Sequence, residues 1–133
     1  MRYLRELEAR ATQARARVLA EALCNQSVVG IWRGYGAVVA ASAHVEAAQR
    51  ILNRTLERLR GLGVPESALE KLELAIAKLR EVGELLRNVS RELATLGRER
   101  FAEAVNRSTA KLAEELLEAV SYTHLTLPTN REV

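Results

Sequence analysis

Between Leu4 and Val18 the apolar and small side chains fall at Leu4, Leu7, Ala11, Ala14 and Val18. These alternating steps of three and four set a single seam along a helix. The seam runs on through Ala22 towards Cys24, where Asn25-Gln26-Ser27 weakens the helix without supplying a Gly or Pro. A second run, Val28, Ile31, Trp32, Tyr35, Val38, Val39, Val45, Ile51 or Leu52, Leu56 and Leu59, keeps the same spacing. The pattern predicts helix over 2–26 and 28–60, either as two helices or as one long helix bent near Gly30.

Gly61-Leu62-Gly63-Val64-Pro65-Glu66-Ser67 is the clearest connector, because glycine ends helices in the left-handed conformation and Pro65 suits a first helical turn. Beyond it Leu69, Leu72, Ile76, Leu79, Leu86, Leu93 and Leu96 repeat at heptad-like spacing, widened by Val82 and Val89. A short connector between stripes of matched length predicts that residues 40–60 pack antiparallel on residues 67–90. Gly97 is the expected second break, and a last helix carries Phe101, Ala104, Val105, Leu112, Leu116 and Leu117. The expected fold is all-α: a helical hairpin with a further packed helix, three to four long amphipathic helices in all, and no sheet.

From Val120 the pattern stops, and Val-Ser-Tyr-Thr-His-Leu-Thr-Leu-Pro-Thr replaces the Glu, Leu and Ala of the preceding helix. The string resembles the translation of a transposon-type sequencing-library adapter at the end of a metagenomic open reading frame. Residues 120–133 are therefore expected to be a non-native tail, and residues 1–119 one helical domain, incomplete at its C-terminus.

Composition narrows the function. The 133 residues are 48% hydrophobic but only 4% aromatic, which allows one modest core. All seventeen acidic residues are Glu, so Asp-based calcium loops, Asp-dependent phosphoryl-transfer sites and Ser-His-Asp triads have no raw material. The single cysteine, Cys24, excludes an intramolecular disulfide and points to a reducing compartment. The charged N-terminus lacks an apolar signal core, and the weakly polar run from Gly34 to Ala43 is too short to cross a bilayer. The charge is uneven: residues 1–60 hold ten Arg and five Glu, whereas residues 61–120 hold nine Lys or Arg and eleven Glu. A basic first half and an acidic second half point to a polyanion, or to head-to-tail self-association.

Individual residues offer little chemistry. His44 has no cluster of further ligands beside it, and Cys24 lacks a neighbouring base and is expected to be a buried small hydrophobe. No catalytic, cofactor or metal residue is expected, and an enzyme is not. The segment Gly30-Ile-Trp-Arg-Gly-Tyr-Gly36 holds the only Trp. It fails as a phosphate loop, since no Gly-Lys-Ser/Thr follows it and no strand precedes it. Gly30, Gly34 and Gly36, with Gly61 and Gly63, are candidates for hinge or close-packing positions. Asn-x-Ser/Thr triplets at Asn25, Asn53, Asn88 and Asn106 lie on predicted helices and are discounted as glycosylation sites.

Three stretches carry a resemblance. They are Ala-Arg-Ala-Arg-Val-Leu-Ala-Glu from Ala14 to Glu21; Arg50-Ile-Leu-Asn-Arg-Thr-Leu-Glu-Arg-Leu leading into Leu62-Gly63; and Ala75-Ile-Ala-Lys-Leu-Arg-Glu-Val followed by Arg87-Asn-Val-Ser-Arg-Glu-Leu. Over about residues 9–100 the chain resembles the archaeal branch of the ESCRT-III family, the polymer-forming proteins of membrane remodelling and cell division. The resemblance implies a basic first half, an acidic second half, and a place in the cytoplasm, peripheral at the inner membrane surface. The stretch ahead of Ala14 is shorter than that family's long first helix, and the spacing from Glu21 to Arg50 is several residues longer. Met1 is accordingly expected to be an internal start, and no ATPase-recruiting residue is assigned.

Two readings of function follow. In the first, a self-assembling scaffold docks on acidic membranes through Arg10, Arg15 and Arg17 and through Arg50, Arg54 and Arg58. In the second, a nucleic-acid-coating or packaging protein sets the same arginines on phosphates, with Trp32 or Tyr35 stacking on bases. A module binding other helical proteins through its heptad seams is a further alternative.

Overall fold

The computed structural model describes the backbone of residues 2–132 and the side chains of residues 2–121. Helix α1 spans Arg2–Leu23, α2 spans Gln26–Gly61 and α3 spans Glu66–Glu132, and no strand occurs among the described residues. The all-α expectation holds. The expected tail of residues 120–133 lies, from residue 122 on, outside the described side chains.

The first two helices are separate, and the break falls at Cys24-Asn25, not at Gly30. Asn25 makes the break. Its Oδ1 accepts the backbone N–H groups of Ser27 at 3.0 Å and Val28 at 3.3 Å, and its carbonyl accepts that of Val29 at 2.9 Å. The side chain thereby satisfies donors that the first turn of α2 leaves open. Cys24, in this junction, is exposed; the expectation of a buried small hydrophobe is corrected.

Gly63 reverses the chain between α2 and α3 at φ 67°, a left-handed conformation that costs glycine nothing extra. The carbonyl of Pro65 then accepts the N–H groups of Ala68 and Leu69, and Glu66 stands in the first turn, where its charge suits the helix dipole.

Contacts gather the chain into two compact units, one of residues 30–97 and one of residues 1–29 with 98–133. In the first, α2 and α3 run antiparallel. Leu56, Leu69 and Ile76 are buried, and Leu52, Leu59, Val64 and Leu72 pack on them next to the turn. Further along, Arg60 pairs with Glu73, Gln49 Nε2 donates to the Leu79 carbonyl at 3.0 Å, and Arg87 stands 3.5 Å from Glu46. In the second unit Ala22, Val28 and Ala104 form the core, and Phe101 and Val105 close over it.

Helix α3 does not break at Gly97, and no separate last helix follows it. The reason is a strict seven-residue register. Leu69, Ile76, Gly83, Gly97 and Ala104 are the buried positions of α3 among the described residues, and half-buried Ser90 completes the series. A helix whose inward positions recur every seven residues keeps one seam facing its neighbours along its length. Gly97 is one of these seam positions, kept small so that a neighbour can approach.

Candidate polyanion-binding face

Arg50, Arg54 and Arg58 stand four residues apart on α2 and so share one face. The opposite side of the same turns carries the inward residues Leu52, Leu56 and Leu59, which pins that face outward. All three arginines are exposed, and none makes an ion pair or hydrogen bond with a described residue. Ile51, also exposed, sits beside them. Arg60, two residues on, is held by Glu73, so the free row ends at Arg58.

On α1 the expected cations divide. Arg10 and Arg15 are exposed without a carboxylate partner among the described residues. Arg17 is not free. Its Nη1 lies 3.0 Å from Glu115 Oε2, Nη2 donates to Glu115 Oε1 at 3.1 Å, and Nε donates to Glu21 Oε1 at 3.3 Å. Hydrogen bonding to Glu115, reinforced by its charge, pushes the Arg17 guanidinium further above its ordinary value. The Ser108 hydroxyl foremost, helped by Arg17 and Lys111, holds the Glu21 carboxyl below the usual carboxylate value. Arg17 thus ties α1 to α3 and meets two carboxylates, unlike Arg10 and Arg15.

The glycine expectations also divide. Gly61 ends α2 and Gly63 makes the turn, as their place in the connector predicts. Gly30, Gly34 and Gly36 lie inside continuous helix, and a Cβ added to any of them meets nothing within 4 Å. They have no close-packing neighbour within the chain, and α2 runs through all three without a break. The close approaches occur at Gly83, to which the sequence assigns no role, and at Gly97, where it predicts a break. A Cβ on Gly83 would lie 3.2 Å from Gln49 Nε2, and one on Gly97 would lie 2.7 Å from Trp32 Cε2. The Trp32 ring also meets Tyr35 edge to face, centroids 5.4 Å apart.

Among the described residues no group of three or more His, Cys or Glu side chains is placed to hold a metal ion, and His44 is exposed. A groove of about 330 Å³ runs between α1 and α3, lined by Ala14, Arg15, Val18, Leu19, Val105, Thr109 and Leu112. It offers hydrophobic surface with one cation at its rim. No helix of the described residues is long and apolar enough to cross a membrane. In comparison with known proteins, the chain matches no family model, no curated protein and no solved structure.

Proposed function

We propose that the chain is a non-enzymatic, self-assembling helical scaffold of the ESCRT-III type, acting on acidic membrane surfaces in membrane remodelling or cell division. One observation carries the reading: Arg50, Arg54 and Arg58 form an outward row of cations with no carboxylate drawn onto them, while Arg17 and Arg60 are tied inside the fold. A cation next to an anionic bilayer contributes about 1 kcal/mol, so a row on one face gives reversible, salt-sensitive docking. Ile51 within the row adds an apolar side chain at the headgroup boundary. Arg10 and Arg15 supply further charge from α1 in this reading.

A nucleic-acid coat uses the same arginines but also needs aromatic rings on which bases stack. Trp32, 36% exposed, lies against Gly97 and Tyr35 meets its edge, so each ring has one side taken by a neighbour within the fold. That favours a lipid surface over a nucleic acid.

The test is sedimentation with liposomes. Vesicles containing acidic lipids should carry the protein down at low salt, neutral vesicles should not, and the triple variant R50E/R54E/R58E should stay in the supernatant. Duplex and single-stranded DNA at matched ionic strength are the controls. Tight DNA binding without sedimentation on acidic vesicles would replace this reading by the coat protein. Binding to neither would leave a helical partner module.

A further inference from the structure

Unit 30–97 is a pair of antiparallel helices, and each helix turns only one seam inward. The outward side of α3 carries a second row at helical spacing: Leu74, Lys78, Glu81 and Leu85. Both leucines are more than half exposed, at 57% and 63%, and Lys78 and Glu81 are exposed with no ion pair to a described residue. Steps of four, three and four put all four side chains on one face. The order is what matters. Read from either end the row is leucine, charge, opposite charge, leucine, with equal steps on both sides of its centre.

A row of that kind is self-complementary under a two-fold axis. When a second α3 is laid antiparallel with the axis between residues 79 and 80, Leu74 faces Leu85 of the other copy and Lys78 faces its Glu81. Symmetry then repeats both contacts. Four leucines enclose two ion pairs, which sit between them as interhelical charges do in coiled coils. A parallel arrangement in register sets Lys78 against Lys78 and Glu81 against Glu81, so the charges also select the direction.

We infer that this face of α3 is a docking surface for a second copy of the chain, seated antiparallel about a two-fold axis between residues 79 and 80. The inference deepens the self-assembly part of the proposed function and is independent of the lipid part. Contact limited to a few turns of one helix lies near the lower end of specific interfaces, about 1,200 Å², so association is reversible.

The experiment is sedimentation equilibrium of the full chain without lipid, for wild type, K78E, E81K, an equimolar mixture of those two variants, and the double leucine variant L74Q/L85Q. Circular dichroism on each checks the fold. Wild type should show a monomer–dimer equilibrium. K78E should weaken it about tenfold by setting Glu against Glu, and E81K likewise by setting Lys against Lys. The mixture should recover the wild-type dimer, because one copy then presents two glutamates and the other two lysines in register. L74Q/L85Q, changed at exposed positions, should be a folded monomer. A wild-type monomer, single variants that dimerise like wild type, or a mixture no tighter than its components would each overturn the inference. Liposome binding separates the two claims. If wild type stays monomeric without lipid yet sediments with acidic vesicles, this face is wrong and the scaffold reading stands. If wild type dimerises as described but ignores acidic vesicles, the scaffold reading fails and this face stands.

Discussion

The indole of Trp32 lies directly over the backbone of Gly97: a Cβ built there would fall 2.7 Å from Cε2, 2.9 Å from Cζ2 and 3.1 Å from Nε1. Real Cβ atoms do not approach a ring so closely, so the missing side chain is a condition of the packing. Gly97 lies mid-helix, where glycine costs about 1 kcal/mol relative to alanine. The Trp32 contact is what that cost supports.

Gly97→Ala should therefore destabilise the fold by about 1–2 kcal/mol, because displacing a rigid ring outweighs the gain in helix propensity. In a Trp32→Leu background the same change should turn stabilising, by about 0.5–1 kcal/mol, since only the propensity gain survives. Chemical denaturation of the four proteins forms a double-mutant cycle that reads the coupling. An additive cycle would mean that the ring and the glycine are not in contact. At Gly83 the neighbour is Gln49 Nε2, 3.2 Å away and donating to the Leu79 carbonyl, and a shift of a few tenths of an ångström relieves the contact while keeping that bond, so Gly83→Ala should stay within about 0.5 kcal/mol of wild type.

These two glycines also mark what was legible in the sequence. The helical stripes, the Gly61–Pro65 turn and the antiparallel packing beyond it follow from three-and-four spacing and from turn chemistry, both local signals. Gly97 was misread because a glycine in a helical pattern signals a break locally and a close approach only when its partner is known. A further signal was present: Leu69, Ile76, Gly83, Ser90, Gly97 and Ala104 are each seven residues apart, which places both glycines on the buried seam. At Arg17 the sequence holds no such sign, since Glu115 lies 98 residues away and only the fold brings them together.

Gly30, Gly34 and Gly36 call for the opposite outcome to Gly97. A Cβ at each points into open space and none has a positive φ, so glycine there weakens α2 without packing compensation. Each change to Ala should stabilise by about 0.5–1 kcal/mol, with separated pairs close to additive. Urea midpoints at unchanged slope are the measurement. A loss of stability at Gly34 would mean that a neighbouring element approaches this part of α2 after all.

At the α1–α2 junction, Asn25→Ala removes an acceptor for two backbone N–H groups, those of Ser27 and Val28. The expected cost is about 1 kcal/mol, and Asn25→Asp or Asn25→Ser should recover most of it, because both keep a capping oxygen. Thermal melts decide it. If alanine proves neutral while helicity rises, α1 and α2 fuse into one helix when the cap is gone, and Asn25 is a breaker without being a stabiliser.

The ion network of Arg17, Glu21, Ser108, Lys111 and Glu115 predicts an acid response. Glu21 is held ionised, chiefly by the Ser108 hydroxyl, so its carboxyl titrates below the ordinary value near 4.5. For a depressed carboxyl the stabilising contribution is present above that ordinary value and is lost as the pH falls through the lower, folded one. Arg17 moves the other way: its raised value keeps it charged from neutral pH down through the acid range, so it contributes no slope there. Glu21→Gln should consequently lower the melting temperature at pH 6–7, and the difference from wild type should shrink as the pH falls below about 4.5 and close once it lies below the depressed, folded value. Salt should compress the same difference at neutral pH, because the side chains involved are half exposed. Melting curves for both proteins between pH 3 and 7 test the sign directly. A gap between them that stays constant with pH would show that the Glu21 carboxylate gains nothing from Ser108 and Arg17, which leaves the Arg17–Glu115 pair and the packing of Ala22 with Ala104 to hold α1 to α3.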